Sequence, residues 1–118
     1  MTLRPEEITE LIATASRARQ MAYVPYSHFA VGAALRTMDG RLFTGCNDEN
    51  ASYGLTICAE RNAAIHAAAQ GAREFSVVAV VTENGVTPCC ASRQALAEFG
   101  PEMMVIVADM HGNYQIYA

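Results

Sequence analysis

The stretch "VVAVVTENGVTPCCASRQALAEFGP", Val77 to Pro101, decides the fold. Val77 to Val81 is the chain's longest apolar run and has the length of a buried strand, extended here to Thr82. An "NG" turn follows at Asn84–Gly85. Pro88 then opens a helix that runs to Phe99, with Gly100 and Pro101 as the stop. A strand feeding a helix of this length is half of a crossover unit, and the flanking sequence supplies the rest.

Upstream, Ile8, Leu11, Ile12, Ala15 and Ala18 recur at helical spacing behind Pro5 and two glutamates. "YVPYS" (Tyr23–Ser27) breaks that helix. Phe29 to Leu35 reads as a strand, the "DG" at Asp39 turns it, and Leu42 to Cys46 returns as its hairpin partner. A polar loop, "NDENASYGLT", leads to a second helix from about Cys58 to Gln70, closed by Gly71. Downstream, Met103–Ala108 and Tyr114–Tyr117 are short strands. The order αββαβαββ favours a mixed sheet with helices on its faces. Right-handed crossovers put the starts of helices two and three at one sheet edge, so Cys58 and Cys89 are expected to meet in space.

The totals narrow the function. The 118 residues, 52% hydrophobic, are read as one domain, 1–118, with enough apolar material for a core. Eight basic against twelve acidic residues give a net charge of −4, which argues against a protein that tracks a nucleic-acid backbone. The beginning "MTLRPEEITEL" carries no export pattern, and no apolar run approaches a bilayer span. The expected compartment is the cytoplasm, with no membrane partner. In that reducing setting, clustered cysteines read as metal-binding or catalytic rather than disulfide-bonded.

Cys58 and Cys89 each begin a helix, where unpaired N–H groups and the positive dipole end favour the thiolate a metal requires. Positions 89 and 92 are one helical turn apart and share a face, whereas 90 is rotated away. A helical Cys-x-x-Cys offers two ligands to one zinc, Cys58 a third, and the open fourth position is the catalytic arrangement. Glu60, two residues after Cys58, is placed to move protons for an attacking water. Ligand, one residue, glutamate, then Pro-Cys-x-x-Cys is the layout of zinc deaminases. Here it stands as Cys58-Ala59-Glu60 and Pro88-Cys89-Cys90-Ala91-Ser92.

Three blocks carry a resemblance over most of the chain: "PYSHFAVGAAL" (Pro25–Leu35), "GCNDENASYGLTICAERNA" (Gly45–Ala63) and "PCCASRQALAEF" (Pro88–Phe99). Together they resemble the small, homotetrameric-type cytidine deaminases. The resemblance implies a three-layer α/β/α fold with a mixed five-stranded sheet. It implies Zn2+ as cofactor and hydrolytic deamination of cytidine or deoxycytidine in pyrimidine salvage. It implies that Phe29 lines the pyrimidine pocket and that Asn47 and Glu49 hold ribose hydroxyls. The Ala59 backbone and Glu60 would read the base's amide edge, with Glu60 also the proton shuttle. Arg61 would partly neutralise the thiolates and Gln94 would support them. Sites completed by neighbouring subunits imply a homotetramer, or a homodimer.

Two departures qualify these expectations. Ser92 stands in the place of the family's last cysteine ligand, and a hydroxyl is a poor zinc ligand beside a thiolate. Weaker zinc binding is the expectation, and a non-catalytic nucleoside-binding paralogue is one alternative. The sequence also ends at "GNYQIYA", before a leucine-leucine-proline segment that the family carries to an aromatic at a neighbour's site. Deamination of a modified cytosine nucleoside, such as a blasticidin-type antibiotic, is a further alternative, although the "NDEN" loop favours ordinary ribose. Cys46 reads as core, Cys90 as packing or an outward thiol, and His28, His66 and His111 as surface or satisfied side chains without metal spacing.

Overall fold

The computed structural model describes residues 3–86 and 90–117, with the side chains at 53, 90 and 91 outside that description. The elements are helix α1 (Pro5–Arg19), strands β1 (Gly32–Thr37) and β2 (Leu42–Cys46), a 3-10 turn (Tyr53–Leu55), helix α2 (Ala59–Ala69), strand β3 (Phe75–Val81), helix α3 (Cys90–Ala97), and strands β4 (Met104–Ala108) and β5 (Tyr114–Tyr117). The sheet order is β2-β1-β3-β4-β5. Among the described strands, β3 and β4 pair in parallel and the other pairings are antiparallel.

The period of two along the central strands sorts the core into two layers. Ala33, Leu35, Val78 and Val80 face α2 and α3, with Ala63, Ala64, Ala67 and Leu96 packed over them. Ala34, Val77, Ala79 and Val81 face the other way and meet Ile8, Leu11 and Ala15 of α1. One helix covers one face and two cover the opposite face, the three-layer α/β/α arrangement around a mixed five-stranded sheet. α1 is fixed in register by Arg36 of β1, whose guanidinium donates to Glu7 and Glu10 at 3.0 Å each.

Two glycines let the helices approach the sheet closely. A Cβ on Gly32 would lie 2.0 Å from the Ala15 carbonyl, and one on Gly45 would lie 2.4 Å from both the Ala59 carbonyl and the Ala63 nitrogen. The alanine-rich face of α2 is the counterpart: Ala59, Ala63 and Ala67 are fully buried against the sheet within this chain.

Boundaries shift at one informative place. The first strand begins at Gly32, not Phe29, because segment 29–31 has one backbone bond, from the Asn47 N–H to the Val31 carbonyl at 3.2 Å, and is otherwise held by the Asn47 side chain. Asn47 accepts from the Val31 N–H at 3.0 Å and donates to the Phe29 carbonyl at 2.9 Å. His28, just before it, sits at φ 57°, a left-handed conformation that ends any extended run. The expected helix start at Pro88 and Cys89 lies outside the described residues.

Because β2 and β3 are both antiparallel to β1, they run the same way, and α2 crosses between them. α3 crosses between the parallel strands β3 and β4. The starts of α2 and α3 therefore lie at one edge of the sheet, and the two helices pack together.

Candidate active site

The site is assembled on a short bridged loop. Asp48 and Ile57 exchange backbone hydrogen bonds at 3.0 and 2.9 Å, so the chain leaves that pair toward Glu49 on one side and Cys58 on the other. Tyr23 brackets the same segment, donating to the Asn47 carbonyl at 3.0 Å and accepting from the Glu49 N–H at 2.9 Å. Asn62 anchors α2 to the end of β2 by donating to the Cys46 carbonyl at 2.7 Å. The polar loop between the second strand and second helix is thus a clamp that brings its Asn, Glu and Cys to one end of the sheet.

Cys58 caps the N-terminus of α2 with extended backbone, φ −72° and ψ 155°. Its half-buried sulfur lies 3.6 Å from Nη2 of Arg61, which also donates to the Thr56 carbonyl at 3.3 Å. A half-buried cysteine sulfur at a helix N-terminus is a soft donor of the kind that zinc takes. The half-buried Cys46 has its thiol pushed up by burial and by nearby Asp48, which keeps it neutral.

Glu60 is only 4% exposed at the start of α2. Burial is the largest influence on its carboxyl and pushes its pKa up. Its own backbone N–H, a hydrogen bond from the Ser92 hydroxyl and the charge of Arg61 act in the opposite direction. A carboxyl held closer to neutrality is suited to taking a proton and returning it. Ser92, on α3, is fully buried. The hydrogen bond between Ser92 and Glu60 joins the two helix starts, the juxtaposition expected from the crossovers.

The residues expected to bind substrate fall into a second group. The Glu49 carboxylate accepts from the Tyr26 and Ser27 N–H groups at 3.0 and 3.1 Å, and from the Ser27 hydroxyl. The Ser27 hydroxyl bond is the main cause that holds Glu49 below the usual carboxylate range. Ser27 was missed from the sequence; its only signal was its place inside "PYSHF". Phe29 is half-buried and Ala59 fully buried. Gln94 is exposed on α3. Cys89 lies outside the described residues, as does the side chain of Cys90. Thr82, just after β3, accepts from the Gly85 and Val86 N–H groups at 2.7 and 3.1 Å and so closes the turn that follows the strand.

Residues 5–108 match the family described as the cytidine and deoxycytidylate deaminase zinc-binding region. The chain belongs to this family. A cytidine deaminase from Halalkalibacterium halodurans is 49% identical over 108 residues, covering 89% of this chain and 82% of that protein. The crystal structure of the cytidine deaminase from Burkholderia pseudomallei superposes with a TM-score of 0.90 at 48% identity, covering 93% of this chain and 91% of that one. A blasticidin-S deaminase from Bacillus cereus is more distant, 27% identical over 114 residues and spanning 88% of this chain and 80% of that protein.

Among the described residues, no group of three or more His, Cys, Asp and Glu gathers as a metal site. The family is zinc-binding, and the described half of the donor set, Cys58 with Arg61 and Glu60 beside it, is compatible with zinc. His66 packs edge-on against Phe43 at 5.2 Å, a structural contact.

Proposed function

We propose that this chain hydrolyses the exocyclic amine of cytidine and deoxycytidine, giving the uracil nucleoside and ammonia, with zinc as cofactor. By family it is a cytidine deaminase-type enzyme. The observation that carries the mechanism is the buried Glu60 carboxyl two residues beyond the Cys58 sulfur, on a helix start shared with Arg61.

Cys58 and Cys89 are the residues that would hold the metal. When bound, zinc supplies Lewis-acid activation of the attacking water. Glu60 removes a proton from that water and delivers it to N3 as the C4–O bond forms. Glu60 then takes the second water proton and passes it to the amino nitrogen as the C4–N bond breaks and ammonia leaves. The Ala59 backbone is assigned to the base's amide edge, Phe29 to its flat face, and Asn47 and Glu49 to the ribose. Arg61 balances thiolate charge. The ionised state of Glu49 supports its role, because a carboxylate is a strong acceptor for sugar hydroxyls. Its oxygens are already engaged by the 26–27 turn, so it also fixes that turn beside Phe29.

Neither alternative from the sequence is favoured. A binding-only paralogue has no use for a buried carboxyl with a raised pKa, and the antibiotic deaminase is the more distant relative. The same reading includes a homotetramer, or a homodimer, and cytoplasmic pyrimidine salvage. Exposed Leu55 and Ile65, 65% and 57% accessible on either side of Cys58 and Glu60, support assembly. The reducing cytoplasm suits free thiols as ligands. No described helix is long and apolar enough to cross a membrane.

The test is product analysis with zinc-supplemented protein on cytidine, deoxycytidine and free cytosine. Both nucleosides are expected to convert and free cytosine to convert far more slowly. Equal rates on cytosine would remove the ribose role of Asn47 and Glu49, and no conversion of either nucleoside would remove the reading.

A further inference from the structure

Ser92 occupies the place where a third thiolate would be expected, yet its surroundings point elsewhere. It is 0% exposed, so its hydroxyl has no access to bulk water and needs an internal partner. The Glu60 carboxylate across the α2–α3 contact accepts its hydrogen bond. A carboxylate is a strong acceptor for a hydroxyl, whereas a neutral hydroxyl is a poor competitor for a metal that thiolates can hold.

We propose that Ser92 is a positioning residue for Glu60 and not a metal ligand: its buried hydroxyl on α3 fixes the carboxylate at the start of α2. The metal then depends on cysteine thiolates alone, and the residue at 92 acts on proton transfer through Glu60. This rests on the deaminase reading above.

Three features favour this geometry. Glu60 lies in the first turn of α2 and is only 4% exposed, so its carboxyl oxygens need partners within the protein. The hydroxyl comes from a different helix, so it sets the carboxylate's direction relative to the second half of the site. Finally, the bond joins the two helix starts that must act together, since the crossovers bring them to one edge of the sheet.

The experiment compares wild type with Ser92→Ala and Ser92→Thr, each zinc-saturated as the full chain. Zinc affinity by chelator competition is measured beside kcat and KM for cytidine. Loss of the orienting hydroxyl in Ser92→Ala is expected to lower kcat by about 10- to 100-fold. KM should stay within about threefold and zinc affinity within about tenfold, since a true ligand or its direct support costs more. Ser92→Thr, which keeps a hydroxyl, should recover most of the lost kcat. An unchanged kcat in Ser92→Ala overturns the proposal, as does zinc affinity reduced beyond about tenfold. Should either variant fail to fold, a crystal structure of the zinc-loaded wild type decides. Ser92 Oγ within about 3.0 Å of a Glu60 oxygen supports the assignment. Ser92 Oγ at about 2.0–2.2 Å from zinc overturns it. Wild type without turnover overturns the deaminase reading instead, and the zinc affinity of Ser92→Ala with that crystal structure then decides Ser92's place alone.

Discussion

Glu60 is where residue chemistry and stability can be read together. Burial raises its pKa, so the folded, zinc-free chain holds that proton to higher pH than the unfolded chain does. The folded state therefore binds more protons above the ordinary carboxylate range, and the contribution is lost as pH rises through the raised value. Zinc-free wild type is expected to lose stability across that window, while Glu60→Gln, which cannot ionise, should lack this component. Urea denaturation at a series of pH values checks this, and parallel curves for the two proteins would contradict it. Asn47 gives a second expectation at this scale. Its amide satisfies Val31 N–H and the Phe29 carbonyl. Asn47→Ala is expected to destabilise by about 1–3 kcal/mol through the unpaired groups it leaves. The same change should raise KM, because Phe29 loses its tether.

Among the elements, α2 carries most of the site and sits closest to the sheet. Gly45→Ala would place a methyl 2.4 Å from the Ala59 carbonyl, at the residue between Cys58 and Glu60. Overpacking of this kind costs about 1–3 kcal/mol. Because the displaced backbone holds the sulfur and the carboxyl, zinc affinity should fall as well; a Tm decrease with unchanged zinc affinity would contradict that link. Most element positions were legible in the sequence. Periodicity placed α1, and Gly71 and the Gly100–Pro101 pair marked where the second and third helices stop. Alternation along Val77–Val81 was hidden, since both faces of β3 are apolar, and only the structure assigns Val78 and Val80 to one layer and the others to the second. The start of β1 was misread because Asn47 acts across 16–18 residues, which no local pattern reveals. Ser92 was legible as an anomaly in a ligand pattern. Its partner was not, because Glu60 lies on another helix.

At the scale of the whole molecule, the edge strand β5 and helix α2 both present apolar side chains to solvent. β5 is exposed along its length, with Tyr114, Ile116 and Tyr117 accessible, and α2 presents Ile65 outward. Such surface in a chain read as an oligomer should be covered by other copies. Sedimentation velocity is expected to give a species of two or four chains at micromolar concentration, and Ile65→Glu should shift it downward. A monomer throughout would contradict the assembly. The central claim, proton transfer by Glu60 in zinc-dependent deamination, is tested most directly by ammonia release from cytidine. Wild type and Glu60→Ala are compared at verified equal zinc content. Turnover in wild type, falling by about 100-fold or more in Glu60→Ala with zinc retained, is the expected result. Equal rates in the two proteins, or no ammonia from wild type fully loaded with zinc, would contradict the account.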